Sequence, residues 1–342
     1  MSWYNTQGPC PNYVLFSKVR YTRNIAKQSF CTTSDSKRRD ETLLRLETIL
    51  QKNGFRGEKV LSGVTPALLS LGEKQFVERD FIYSDKPRAL YLNEPCNLLV
   101  SLGGDNYISI SSVVAGLSVS EAKNMACGAE EIIDGEIAFA YNENIGYLSP
   151  EICACGSGVS FSALLYLPSV RLLDNERNYT HFLRGMSFCP AFENGGNPGD
   201  LYLLEYVPHY LCDEGSAAAA YFESTVEAVT EYEKNKLLSS FKDSQKELYS
   251  LARRAYGALL YSDPISEREM LESLSQIRLF HCISTETSSS LPPVSALNFL
   301  SSEGLNCSVI ASSKEPCTSQ DECDSARSRL IVSYIEHKNE VI

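Results

Sequence analysis

The run Ser17-Lys18-Val19-Arg20-Tyr21-Thr22-Arg23-Asn24 constrains the fold more than any other stretch of the chain. It interleaves cations with apolar and aromatic residues at the two-residue period of a β-strand. On an extended strand Lys18 and Arg20 project to the same face. Two cations on one sheet face call for solvent or an anion, and guanidinium forks match phosphate oxygens well. A protected sheet edge places basic residues in the same way, so the octapeptide alone leaves both readings open.

The 342-residue length fits about two domains. Hydrophobic residues at 43% and charged residues at 22% are ordinary for a globular protein. The net charge of −12 disfavours nucleic acid and anionic membrane as partners, so any anion site has to be a local basic pocket. No apolar run is long enough to span a bilayer, and the start, Met1-Ser2-Trp3-Tyr4-Asn5, lacks the pattern of a signal peptide. The 12 cysteines are scattered without CxxC spacing, with one CxC at Cys153-Ala154-Cys155. With only His181, His209, His281 and His337 beside them, they form no local zinc-ligand cluster. The expectation is a cytoplasmic protein with reduced, mostly buried thiols and no metal site of its own.

Hydrophobic periodicity predicts a helix over 39–51 with apolar positions 43, 44, 46, 49 and 50, and another over 61–76. Strands are predicted at 88–92, 97–101, 107–114 and 201–207, with a short apolar piece at 137–141 and a helix at 119–134. The turn opening at Gly156-Ser157-Gly158 leads into an apolar element ending at Pro168. From 217 to about 279 the chain is charged, periodic and poor in glycine, which predicts two or three long helices. A Ser/Pro linker follows at 284–295, then a helix from about Asp321. The fold class is α+β: residues 1–214 mix strands and helices, and residues 215–342 form a helical domain that buries its apolar stripes in a bundle or a dimer.

Taken together, these blocks resemble the ATP:guanido phosphotransferase family, in its bacterial protein-arginine kinase branch. Phe16 to Asn24 is similar to the family's SSRxRxxRN strand, and Asn142-Glu143-Asn144-Ile145-Gly146-Tyr147-Leu148 to its DxxxGYLT turn. Gly156 to Pro168 resembles the GTxxRASV…LP element and Arg184-Gly185 the RG motif. Arg253 to Leu259, together with Ile265-Ser266 through Glu269 to Arg278-Leu279, resembles the helical region of the arginine kinases. The resemblance implies an antiparallel sheet flanked by helices, then a helical domain that dimerises. It implies transfer of the γ-phosphoryl of Mg-ATP to an arginine side chain of a protein. Such chemistry needs cations around the triphosphate and a carboxylate to orient a guanidinium that is protonated at ordinary pH. The implied partners are client proteins, a small zinc-binding activator protein and proteolysis components.

The chain departs from the family's pattern at the positions that carry this chemistry. The first strand arginine is Lys18, while Arg20 and Arg184 are retained; these three are the candidate nucleotide-binding residues. The NEEDHxR block falls on Gly103-Gly104-Asp105-Asn106-Tyr107-Ile108-Ser109, so Asp105 stands for the catalytic glutamate and Ser109 for a phosphate-binding arginine. Ser160 stands for a second such arginine and Glu151 for the active-site cysteine, with Cys153 and Cys155 nearby. Glu193 is the substitute for a second catalytic acid in a rewritten loop. The glycines at 103, 104, 156 and 158 either bind phosphate through N–H groups or form tight turns. Asp324 and Arg327 match part of the RDxxRA segment that the resemblance associates with phosphoarginine, and are otherwise an ion pair on a helix surface. Two readings follow. In one, the protein is a degenerate, regulatory member with little or no phosphoryl transfer; in the other, it is a working kinase with a rearranged site.

Overall fold

The computed structural model describes residues 6–31, 36–59, 89–93, 97–174, 178–179, 183, 185–191, 196–208, 216–284, 291–303 and 319–339. The basic run is a strand as expected, β1 (Val14–Arg23). It is followed by α1 (Ser36–Lys52), β2 (Arg56–Lys59), β3 (Ala89–Leu92), β4 (Leu98–Leu102), β5 (Ile108–Ala115) and α2 (Val119–Asp134). The hairpin β6 (Tyr141–Asn142) and β7 (Gly146–Tyr147), then β8 (Val159–Tyr166), α3 (Pro168–Leu172), β9 (Ser187–Pro190) and β10 (Leu201–Tyr206) complete the mixed part. The helical part holds α4 (Ser216–Phe241), α5 (Gln245–Tyr261), α6 (Glu267–Ile283), α7 (Val294–Glu303) and α8 (Gln320–Asn339). The main sheet has the order β2-β3-β4-β5-β1-β8-β10-β9, and its pairs β1–β5, β2–β3, β3–β4 and β4–β5 are antiparallel.

Most predicted elements are present. On α1, Leu43, Leu46, Ile49 and Leu50 face inward as the periodicity required, but Leu44 is exposed, because it sits one position off the buried stripe. The apolar piece at 137–141 forms no regular strand of its own: Phe139 makes a single bridge to Ile25, and Tyr141 opens the β6–β7 hairpin. Three long helices occupy the stretch after 216. The helix predicted over 61–76 lies outside the described residues, as does the expected domain boundary at 214.

The chain divides into two compact units that interleave along the sequence: 1–3, 16–163 and 205–224 in the first, and 4–15, 164–204 and 225–342 in the second. In the first unit α2 lies on β5, where the buried Ser112 hydroxyl donates to the Ala122 carbonyl at 2.6 Å. In the second unit α6 is the central helix, buried on nearly every side. It starts at Ser266, whose hydroxyl caps the helix by accepting the Glu269 N–H at 3.2 Å. The fully buried Arg278 donates to Asn298 Oδ1 at 2.6 Å and lies 5.5 Å from the Tyr166 ring centre. Desolvation lowers the Arg278 pKa to about 10. Asp200 accepts both arms of Arg171, at 2.6 and 2.9 Å, and the Ser275 hydroxyl.

A second buried carboxylate, Glu233 of α4, has no cation bonded to it among the described residues. It accepts the Ser169 N–H at the start of α3 and the hydroxyls of Ser169 and Tyr179. Burial raises its pKa against the pull of those three donors. A raised native pKa means the folded state holds more protons than the unfolded one between the two values, so stability falls as pH rises through that window. Relative to Glu233→Gln, the wild type should lose stability as pH rises above the ordinary carboxylate range and then level off. Urea melts of both proteins across pH check this; parallel pH profiles would contradict it.

Candidate functional site

β1 displays its residues as the alternation requires. Ser17, Val19, Tyr21 and Arg23 are buried, whereas Phe16, Lys18, Arg20 and Thr22 are half-buried on the other face. Lys18 and Arg20 therefore do share a face. Across the β1–β5 pair, Lys18 stands opposite Val113, Arg20 opposite Ser111 and Thr22 opposite Ser109. Arg20 leans along the strand and donates from Nε to Ser109 Oγ at 2.8 Å. The position that the resemblance gives to a phosphate-binding arginine thus adjoins Arg20, and it carries a buried hydroxyl instead. Ser160 lies half-buried near the start of β8.

Arg23, the third cation of the run, has a different task. It is 2% exposed. Its Nε is 2.5 Å from Glu130 Oε1 on α2, and its Nη1 donates to the carbonyls of Thr22 at 2.8 Å and Gly158 at 2.7 Å. The guanidinium carbon lies 3.5 Å from the centre of the Tyr147 ring. This packing explains Gly158, at φ +57°: an added Cβ would lie 2.4 Å from Arg23 Nη1. The glycine N–H groups of 103 and 156 donate to the carbonyls of Tyr107 and Tyr147, at 3.0 and 3.1 Å. At these two positions the tight-turn alternative fits, since the donors are already used.

Asp105 is exposed in the turn between β4 and β5. That turn is anchored by a residue the sequence reading did not single out, Asn24. The buried Asn24 side chain accepts the Tyr107 N–H at 3.1 Å and donates to Asn106 Oδ1 at 2.7 Å and to the Leu148 carbonyl at 3.0 Å. The only sequence signal for this role was its place at the end of the strand motif. Asn24 thereby ties the Asp105 turn to the loop of residues 148–155. In that loop Cys155 Sγ accepts the Ser149 N–H at 3.3 Å, and Glu151 is exposed. The candidates Arg184 and Glu193 lie outside the described residues.

Asp324 and Arg327 are brought together on α8, but inside the helical unit rather than on its surface. Arg327 Nη1 lies 2.5 Å from Asp324 Oδ1 and donates to the Ile265 carbonyl at 2.7 Å. The pair fastens α8 to the residue before the α6 cap.

For Mg-ATP, the described cations on the exposed β1 face are Lys18 and Arg20, with the serines at 109 and 160 beside the same part of the sheet. A triphosphate and its transition state call for several cations and a metal ion around them. Among the described residues no group of three or more His, Cys, Asp and Glu is placed to hold a metal ion. Removing the Asn24 amide leaves the Tyr107 N–H without its buried acceptor. Asn24→Ala should therefore cost about 1–3 kcal/mol, read by urea unfolding, and speed amide exchange in both 103–107 and 148–155. Loosening of neither segment would contradict the anchoring role.

Residues 40–187 match the family described as ATP:guanido phosphotransferase, C-terminal catalytic domain. The protein-arginine kinase of Halothermothrix orenii is 21% identical over 283 residues, covering 81% of each chain. That of Bacillus cereus strain G9842 is 24% identical over 285 residues, covering 81% of this chain and 80% of the relative. Among solved structures, the duplicated taurocyamine kinase of Schistosoma mansoni with bound transition state analog components superposes with a TM-score of 0.54 at 19% identity. That match covers 74% of this chain and 38% of the duplicated enzyme, a likeness of fold. With its antiparallel sheet, its family match over residues 40–187 and these relatives, the chain is similar to the ATP:guanido phosphotransferases and, among them, to the bacterial protein-arginine kinases.

Proposed function

We propose that this protein is a protein-arginine kinase-like member that keeps the family's fold but performs weak or no phosphoryl transfer, and acts as a regulatory or adaptor protein. The observation that carries the reading is the Arg20–Ser109 contact: beside Arg20 a hydroxyl stands at the position to which the resemblance gives a phosphate-binding arginine. One transition-state arginine is worth about 10³–10⁵ in rate. Serines at both 109 and 160, with a carboxylate one methylene short at 105, leave little of the electrostatic cage. In this reading the protein works as a homodimer in the cytoplasm, with client proteins, a zinc-binding activator and proteolysis components as partners. Its helical unit contributes binding rather than catalysis.

A second reading is favoured by one feature. Lys18 and Arg20 share the half-exposed face of β1, and Asp105 is accessible in its turn. In that case the protein is an active kinase in which these groups, with Arg184, handle Mg-ATP and the acceptor arginine. Incubation with Mg-ATP and an arginine-rich protein, followed by mass spectrometry for phosphoarginine, separates the two. The first reading predicts no phosphoarginine above a no-enzyme control. Turnover that disappears in both Arg20→Ala and Asp105→Ala would overturn it in favour of the second.

A further inference from the structure

The segment that precedes β1 lies along the last two turns of α6, and its bonds there are long. Asn12 Nδ2 donates to the His281 carbonyl at 3.4 Å, and Cys282 Sγ lies 3.9 Å from the Asn12 carbonyl. Arg278 Nη1 reaches the Pro11 carbonyl at 3.4 Å, whereas its Nη2 meets Asn298 Oδ1 at 2.6 Å. An N–H donor free to approach its acceptor settles near about 2.9 Å. Cys10 sits at φ +52°, a left-handed conformation that is costly for a residue with a side chain. The Tyr13 hydroxyl is buried beside the Cys282 thiol without a well-formed hydrogen bond. All of these residues belong to the second unit.

The cation beside this segment is poorly compensated. Arg278 is 2% exposed, and its two acceptors, Asn298 Oδ1 and the Pro11 carbonyl, are neutral. No carboxylate bonds to it among the described residues. Asp200 is engaged by Arg171 and Ser275, and Glu233 by Ser169 and Tyr179. Arg23, the other fully buried arginine of comparable size, has Glu130 against it. A guanidinium kept from water with neutral partners alone is destabilised, and desolvation accordingly lowers the Arg278 pKa. Hydration relieves that cost, and the Pro11 carbonyl is the weaker of the two acceptors.

We propose that residues 6–13 are a strap that detaches from α6 while the rest of the protein stays folded, hydrating Arg278 and uncovering the Cys282 thiol. Tyr13 is the hinge: its carbonyl accepts the Tyr166 N–H at 2.8 Å, and β1 begins at the next residue. Closed, the strap buries the Tyr13 side chain against α6; open, the end of α6 presents a cation and a thiol. Long bonds, a left-handed residue and a buried charge leave the closed form only marginally favoured, as a segment that opens locally requires. A guanidinium that merely fastened the strap through Pro11 would oppose opening, whereas one that gains water by it promotes opening. The strap uses none of the candidate phosphate-binding residues, so it stands whether or not the protein transfers phosphoryl groups.

Alkylation of Cys282 by iodoacetamide, read by peptide mass spectrometry across a urea series, measures the opening. The exposed Cys10 reacts without opening and serves as the reference. Rates are taken at two pH values, which separates opening from ionisation of the thiol, and are divided by those of the unfolded chain. Below the unfolding transition the Cys282 rate should be nearly independent of urea, because a local opening exposes little surface. Asn12→Ala should speed it by about threefold, since one bond of the closed strap is gone. Arg278→Met should slow it by about tenfold, because the closed form then hides no charge. Arg278→Met/Asn298→Leu, which also removes the amide left without its partner, should slow it as much; urea melts verify that each variant folds. Unchanged or faster labelling in both Arg278 variants would reduce the guanidinium to a fastener and overturn the proposal. Labelling of Cys282 only in step with global unfolding would overturn it as well.

Discussion

The buried guanidinium of Arg23 holds together four pieces of the first unit: the end of β1, helix α2 through Glu130, the β6–β7 hairpin through Tyr147, and the turn at Gly158. A charge this far from water is tolerated only when its donors are used and a counter-ion is close. Here Nε meets Glu130 and Nη1 meets the carbonyls of Thr22 and Gly158, and the Glu130 and Gly158 contacts depend on distant parts of the chain arriving together. The residue therefore acts as a condition on the fold: β1, α2 and the hairpin either assemble around it or leave an uncompensated charge inside. The glycine at 158 is part of the same requirement, because a side chain there would displace the guanidinium.

This arrangement separates two kinds of cation on one strand. The residues on the buried face of β1 build the unit, and Lys18 and Arg20 stand on the half-buried face, where Arg20 reaches Ser109. Arg23 has its carboxylate, its aromatic neighbours and the glycine at 158 around it. On the other face, Ser109 and Ser160 stand where the resemblance places arginines. The proposal of weak or no phosphoryl transfer starts from this contrast.

Much of the fold was readable in the sequence, because periodicity reports burial directly. The alternation in β1, the stripe on α1 and the three long helices after residue 216 all follow from it. Tertiary facts were not readable. The alternation puts Arg23 on the apolar face of β1 and Arg20 on the other, but nothing local supplies the Glu130 and Tyr147 that make a buried arginine there tolerable. Asn24 looked like the end of a motif, and its role depends on main-chain groups at 107 and 148, which leave no trace in side-chain identity. The Asp324/Arg327 spacing predicted an ion pair on a helix, but a three-residue spacing cannot say which way the helix faces, and α8 turns the pair inward onto Ile265. Units that interleave along the chain are equally invisible to a reading that looks for one boundary.

The central claim is that the phosphate site no longer has enough positive charge for a nucleoside triphosphate. Isothermal titration calorimetry of the purified protein with Mg-ATP measures this most directly. The account predicts no saturable heat at millimolar nucleotide, with Arg20→Ala indistinguishable from the wild type. Saturable micromolar binding that Arg20→Ala abolishes would contradict it, and would show that the two remaining β1 cations, with residues beyond those described, still make a working cage.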